Sequence, residues 1–102
     1  MDAILRGTTP SVILAIDPDD LQLSTVTKVE MYIRNVYLKT YTGTQLTVDT
    51  SANTVTKAFT EAETKALSTG VPVTVQARFW IGETTIVGTL PIELSVADMM
   101  GV

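Results

Sequence analysis

Between Val26 and Arg34 the side chains alternate: Val29, Met31 and Ile33 fall on one side of an extended chain, and Lys28, Glu30, Tyr32 and Arg34 on the other. A period of two marks a strand with one buried and one wet face. The same period runs longest over 71–81, where Val71, Val73, Val75, Ala77, Phe79 and Ile81 form the apolar set and Pro72, Thr74, Gln76, Arg78 and Trp80 the other, which predicts the central strand. Ile4–Arg6 and Val12–Ile16 read as one strand broken at Gly7 and Pro10, which either bend an edge strand or let it change sheets. A tight turn at Arg34-Asn35 closes a hairpin onto a strand in which Val36, Leu38 and Thr40 alternate with Tyr37, Lys39 and Tyr41. Gln45–Val48 and Thr54–Phe59 are two further short strands. Thr84–Val96 is the last, with Ile86, Leu90, Ile92, Leu94 and Val96 inward and Pro91 marking an edge or a bulge.

Helical spacing occurs once. Thr60 is followed three residues later by Glu63, the capping-box pattern, and Ala62, Ala66 and Leu67 share a side before the Ser68-Thr69-Gly70 stop, so a helix of about two turns is predicted over Glu61–Leu67. Turn sequences recur at short intervals between the strands, as in a sandwich or barrel. The expected fold is all-β: an immunoglobulin-like β-sandwich of about seven strands, with one short helix before the penultimate strand. Residues 1–102 form a single domain in this reading, with 97–102 a loose tail.

Composition strengthens the β assignment and narrows the chemistry. Thr occurs 18 times and Val 12 times among 102 residues, and β-branched side chains pack well on pleated surfaces. There is no Cys and no His, which excludes disulfides, thiolate nucleophiles, Cys/His zinc sites and histidine-dependent triads. Seven Lys plus Arg against 11 Asp plus Glu give a net charge of −4. The basic residues are scattered singly, so no phosphate-binding stripe forms and no nucleic-acid partner is expected. Met1–Pro10 lacks the pattern of a signal peptide, and no apolar run is long enough for a membrane helix, so no membrane partner is expected either. No cofactor motif occurs.

Two acidic groups invite a chemical reading. Asp17, Asp19 and Asp20 have the oxygens a Ca²⁺ ion wants but lack an EF-hand's spacing, and Asp-Pro-Asp-Asp is ordinary turn composition. Glu61 and Glu63 offer paired carboxylates, yet they stand where a helix start favours negative charge and where Glu63 completes a cap. No catalytic residues are assigned, no metal ligands are assigned, and the protein is expected not to be an enzyme. The candidate interface is instead aromatic and basic. If the 36–41 strand lies beside the 71–81 strand, Tyr37, Lys39 and Tyr41 share a face with Gln76, Arg78 and Trp80, either as an interaction surface or simply as long cationic side chains covering rings. The last strand, with Met99 and Met100 beyond it, offers a free edge for a neighbour, the alternative being an ordinary frayed terminus.

The opening Ile4-Leu5-Arg6-Gly7-Thr8-Thr9-Pro10, the Asp-rich turn into Leu21-Gln22-Leu23-Ser24, the Thr60-Glu61-Ala62-Glu63-Thr64 helix start and the Val73-Thr74-Val75-Gln76-Ala77-Arg78 strand carry a resemblance over nearly the whole chain. It resembles small proteins encoded among virion structural genes in prophages of Gram-positive bacteria. The order of elements is similar to the N-terminal immunoglobulin-like domain of phage baseplate upper proteins, a family that continues into longer stalk or receptor-directed regions and from which no residue roles carry over position by position. The resemblance implies a non-catalytic tail or baseplate component, located in the virion after assembly in the host cytoplasm. Its expected partners are other tail proteins or further copies of itself. A small carbohydrate-binding or adhesin-type module and a cytoplasmic phage-encoded regulator are the alternatives.

Overall fold

A computed structural model of the chain describes residues 3–100. It is an all-β sandwich of two sheets, with nine strands among the described residues. The strands are β1 (Ala3–Leu5), β2 (Ser11–Ala15), β3 (Lys28–Arg34), β4 (Leu38–Thr42), β5 (Thr47–Asp49), β6 (Thr54–Ala58), β7 (Val73–Ile81), β8 (Thr85–Gly88) and β9 (Ile92–Ala97). One sheet runs β1-β9-β7-β3-β4, with β8 also paired to β7, and the other runs β2-β6-β5. That is the strand order of an immunoglobulin-like sandwich. All neighbouring pairs are antiparallel except β1 on β9.

The alternation along β3 and β7 builds the core as expected. Met31, Ile33, Val73, Val75, Ala77 and Phe79 are buried from one sheet, and Val12, Leu14 and Val55 meet them from the other. The chain does change sheets at 6–10, where Gly7 takes a positive φ of 80°. It leaves β1 on the larger sheet and begins β2 on the smaller. The helix α1 (Glu61–Lys65) is shorter than predicted but carries the predicted cap: the Glu63 amide donates to Thr60 Oγ1 at 3.2 Å and the Thr60 amide donates to Glu63 Oε1 at 2.8 Å.

Three expectations change. The predicted last strand is two, because the chain bends at Gly88–Pro91 and pairs with different stretches of β7 before and after. At the bend Thr89 stands in for a ladder residue, its amide donating to the Ala77 carbonyl and its hydroxyl accepting from the Ala77 amide, both at 3.0 Å. Leu90 is left 86% exposed, and Ile86 and Ile92 are exposed too, so none of the three belongs to the core. β9 is not an edge over Ser95–Ala97, since β1 covers it. The tail is also tied further along than expected: Ala97 pairs with Leu5, and Asp98 accepts from Arg6 at 2.6 Å. Gly101 and Val102, the end of that predicted tail, lie outside the described residues.

Candidate functional site

β4 and α1 are the walls of a groove of about 700 Å³. Tyr37, Lys39 and Tyr41 line one side and Ala62, Glu63 and Ala66 the other, with Phe59 and Ile33 between. The groove exists because β4 presents its odd-numbered residues inward. Met31 pairs with Tyr41 and Ile33 with Lys39, so these side chains follow the core parity of β3. Arg34 pairs with Leu38, which leaves a three-residue connection, Asn35-Val36-Tyr37. A two-residue turn at Arg34-Asn35 would have put the opposite set inward, since one residue of register moves every side chain to the other face.

Three lining residues, Tyr41, Phe59 and Glu63, meet one buried lysine behind the groove. Lys57 lies on β6 between Val55 and Phe59, is only 7% exposed, and pairs with Glu63 at 3.2 Å. Its ammonium also sits 4.3 Å from the centre of the Tyr41 ring and 5.8 Å from that of Phe59. Burial first, and then the neighbouring Glu63 carboxylate, push the Tyr41 hydroxyl up to about 12. Burial alone would raise Glu63, but the Thr60 amide, Lys57 and Tyr41 outweigh it and hold the carboxyl below its ordinary range.

Arg78 and Trp80 lie elsewhere. β3 separates β4 from β7, and the register sets Glu30 opposite Arg78 and Lys28 opposite Trp80 on the outer face of the sheet. The expected aromatic surface is therefore divided: Tyr37, Lys39 and Tyr41 line the groove on one side of the sheet, and Gln76, Arg78 and Trp80 face the other way. On that outer face Arg78 Nε donates to the Tyr32 hydroxyl at 2.7 Å, and the Tyr32 hydroxyl donates to Glu30. The Tyr32 bond first, then Lys28 and Arg78, hold Glu30 below the ordinary carboxylate range; burial and Glu30 push Tyr32 up. Lys28 Nζ and Arg78 Cζ stand 4.6 and 5.0 Å from the centre of the Trp80 ring. Met99 and Met100 follow β9 at the far end of the molecule's last strand, and Met100 is 93% exposed.

Polar residues with structural tasks account for most of the remaining chemistry. Asp17 Oδ1 accepts from the Asp19 amide at 2.9 Å, closing the Asp-Pro-Asp-Asp turn. Asn53, at φ 57°, accepts from the Leu23 amide and donates to the Ile16 and Leu21 carbonyls. Asn35 accepts from the Ser68 amide at 2.7 Å and donates to the Ser68 and Val71 carbonyls, bracing the β3–β4 turn against the segment after α1. Buried Thr64 joins α1 to the β1–β2 crossing, accepting from the Gly7 amide and donating to the Thr8 carbonyl. The resolved acid–base shifts hold both carboxyls more firmly ionised and both phenols more firmly protonated. General acid–base groups are tuned the opposite way, toward the working pH.

No protein-family model matches the chain, and no curated protein matches it.

Proposed function

We propose that this protein is a non-catalytic phage or prophage structural component, of the tail or baseplate, that acts by docking onto a larger tail protein. The observation that carries the reading is the β3–β4 turn. Val36, Tyr37 and Leu38 are each at least half exposed, with Tyr37 at 78%, and they stand on a turn that Asn35 ties down with three hydrogen bonds. Apolar groups held out on a braced loop suit protein contact, because little ordering remains to oppose binding. The groove behind the turn continues the apolar surface of Val36 and Tyr37, while Leu38 faces the outer side of the sheet, and the tuning of Glu30, Tyr32, Tyr41 and Glu63 fits a protein with no reaction to run. The sequence resemblance supplies the phage setting.

The test is to induce the strain that carries the gene, purify particles on a density gradient and assay both fractions by mass spectrometry. Enrichment with particles at a fixed ratio to a major tail protein is the expected result. Replacing Tyr37 by Ala together with Val36→Ser should lower that ratio while the variant still folds. Recovery of the wild-type chain only in the soluble fraction, beside intact particles, would overturn the reading and favour a regulator acting in the host cell.

A further inference from the structure

Most outer strands of the sandwich carry a device against pairing. β4 holds Lys39, β5 is three residues long and ends in Asp49, and β1 is also three residues long. β2 has none. Its sequence is Ser11-Val12-Ile13-Leu14-Ala15, and no charged residue occurs from Gly7 to Ile16. β1 has gone to the other sheet, so the side of β2 away from β6 has no strand partner among the described residues. That side opens on a groove of about 270 Å³ formed by β2 with Ile92 and Leu94 of β9.

The direction of the backbone groups follows from two bonds. The Phe59 amide donates to the Pro10 carbonyl and the Ile16 amide to the Asn53 carbonyl, so even-numbered residues of this segment turn their backbone groups toward β6. Ser11, Ile13 and Ala15 therefore turn both N–H and C=O toward the open side, since the pairing of an antiparallel ladder alternates. Ile13 is also 60% exposed, although it is the middle residue of an edge strand.

We propose that two copies of this chain associate through β2, antiparallel across a twofold axis that passes by Ile13. The strand is its own complement in this register. Ile13 faces Ile13 of the second copy, and Ser11 faces Ala15 on either side, giving three pairs that each exchange two backbone hydrogen bonds. Centring the axis on Val12 or on Leu14 leaves two such pairs, so the register on Ile13 satisfies the most groups. No like charges meet, and Val12 approaches Leu14 of the second copy beside the Ile92 and Leu94 groove. The two small sheets become one continuous sheet through the axis. A five-residue edge buries less than a standard interface of ~1,600 Å², so the dimer dissociates in the micromolar range or above. β8 is uncharged as well, but it ends in Gly88 and has no buried side chain to fix it, which makes it the natural control. The proposal stands independently of the docking turn and of the phage reading.

Sedimentation equilibrium from about 10 µM to about 1 mM reads the association directly. The wild-type chain should move from 11.0 kDa toward twice that mass as concentration rises. Ile13→Lys should stay monomeric with an unchanged circular dichroism spectrum, because that side chain is already exposed, and Ile86→Lys should associate as wild type does. The register has its own test, clean because the chain has no cysteine. Ile13→Cys should form an interchain disulfide, its Cα atoms lying about 5.5 Å apart across the axis. Ser11→Cys should not, since its two copies would be about 13 Å apart along the strand. A wild-type chain that remains at 11.0 kDa throughout overturns the proposal, as does association that survives Ile13→Lys. Cross-linking of Ser11→Cys as readily as Ile13→Cys overturns the register.

Discussion

Two clusters in this molecule are assembled from the same parts, a glutamate, a tyrosine, basic side chains and a further aromatic ring, and differ in where the sandwich places them. Glu63, Tyr41 and Phe59 line the β4–α1 groove with Lys57 buried behind them; Lys28, Glu30, Tyr32, Arg78 and Trp80 lie on the outer face of β3 and β7. The Lys57 side chain is 9% exposed, whereas those of Lys28 and Arg78 are 56% and 51% exposed. The burial of Lys57 makes the inner cluster a joint between β6, β4 and α1, because its ammonium depends on Glu63 and the Tyr41 ring where water does not replace them. Lys28 and Arg78 are hydrated with or without their partners, so although Glu30 between them is 18% exposed, their contacts arrange the surface more than they hold it together.

Truncating the inner cation should separate the clusters most sharply. Lys57→Ala removes the partner of Glu63 and opens space under Tyr41 and Phe59, and should cost about 3 kcal/mol in urea unfolding. Lys57→Met keeps the packing and removes only the charge, so about 2 kcal/mol is expected, and equal losses for the two variants would show that the charge alone matters.

The pH dependence comes next in size. Glu63 has a folded pKa below its ordinary 4.5, so its contribution is complete above that value and is lost as pH falls through the depressed one. Tyr41 is raised from 10.0 to about 12, so its contribution is complete below 10.0 and is lost as pH rises toward 12. Glu63→Gln should flatten the acid limb of stability against pH, and Tyr41→Phe should flatten the alkaline limb while costing about 1 kcal/mol at neutral pH. A Tyr41→Phe profile that matches wild type above pH 10 would show that the Tyr41 hydroxyl does not carry the alkaline limb.

The smallest effect belongs to the outer cluster. Arg78→Ala should leave the melting midpoint nearly unchanged, yet raise the quenching of Trp80 fluorescence by acrylamide, since Trp80 is the single tryptophan and loses one of the cations over its ring. High salt should reproduce part of that change and should not touch the inner cluster.

The fold was largely legible because alternation is a local property. β3 and β7 could be read residue by residue, and the Thr60–Glu63 cap was written in the spacing. What was not legible depended on counts that alternation does not supply. The β3–β4 connection is one residue longer than the Asn-containing turn suggested, and that residue moved Tyr41 and Lys39 from the outer face to the groove. Lys57 could have been found, since it shares the inward parity of Val55 and Phe59 on β6, where a lysine calls for a buried partner. Asn53 and Thr64 carried no such signal. Their tasks are set by the Leu23 and Gly7 amides, which reach them only after distant segments have met.

The parallel pairing of β1 with β9 has a consequence for how the molecule comes together in time. Arg6 and Asp98, which close that end of the sheet, are 92 positions apart in sequence. Contacts so distant close the longest loop in the chain, and ladders of this kind slow folding relative to hairpins such as β3–β4. During synthesis the first strand has no partner until the last has left the ribosome. The crossing at Gly7 and the end of α1 that Arg6 grips through the Lys65 carbonyl adjoin that closing ladder, so they share its dependence on the most distant contact in the chain.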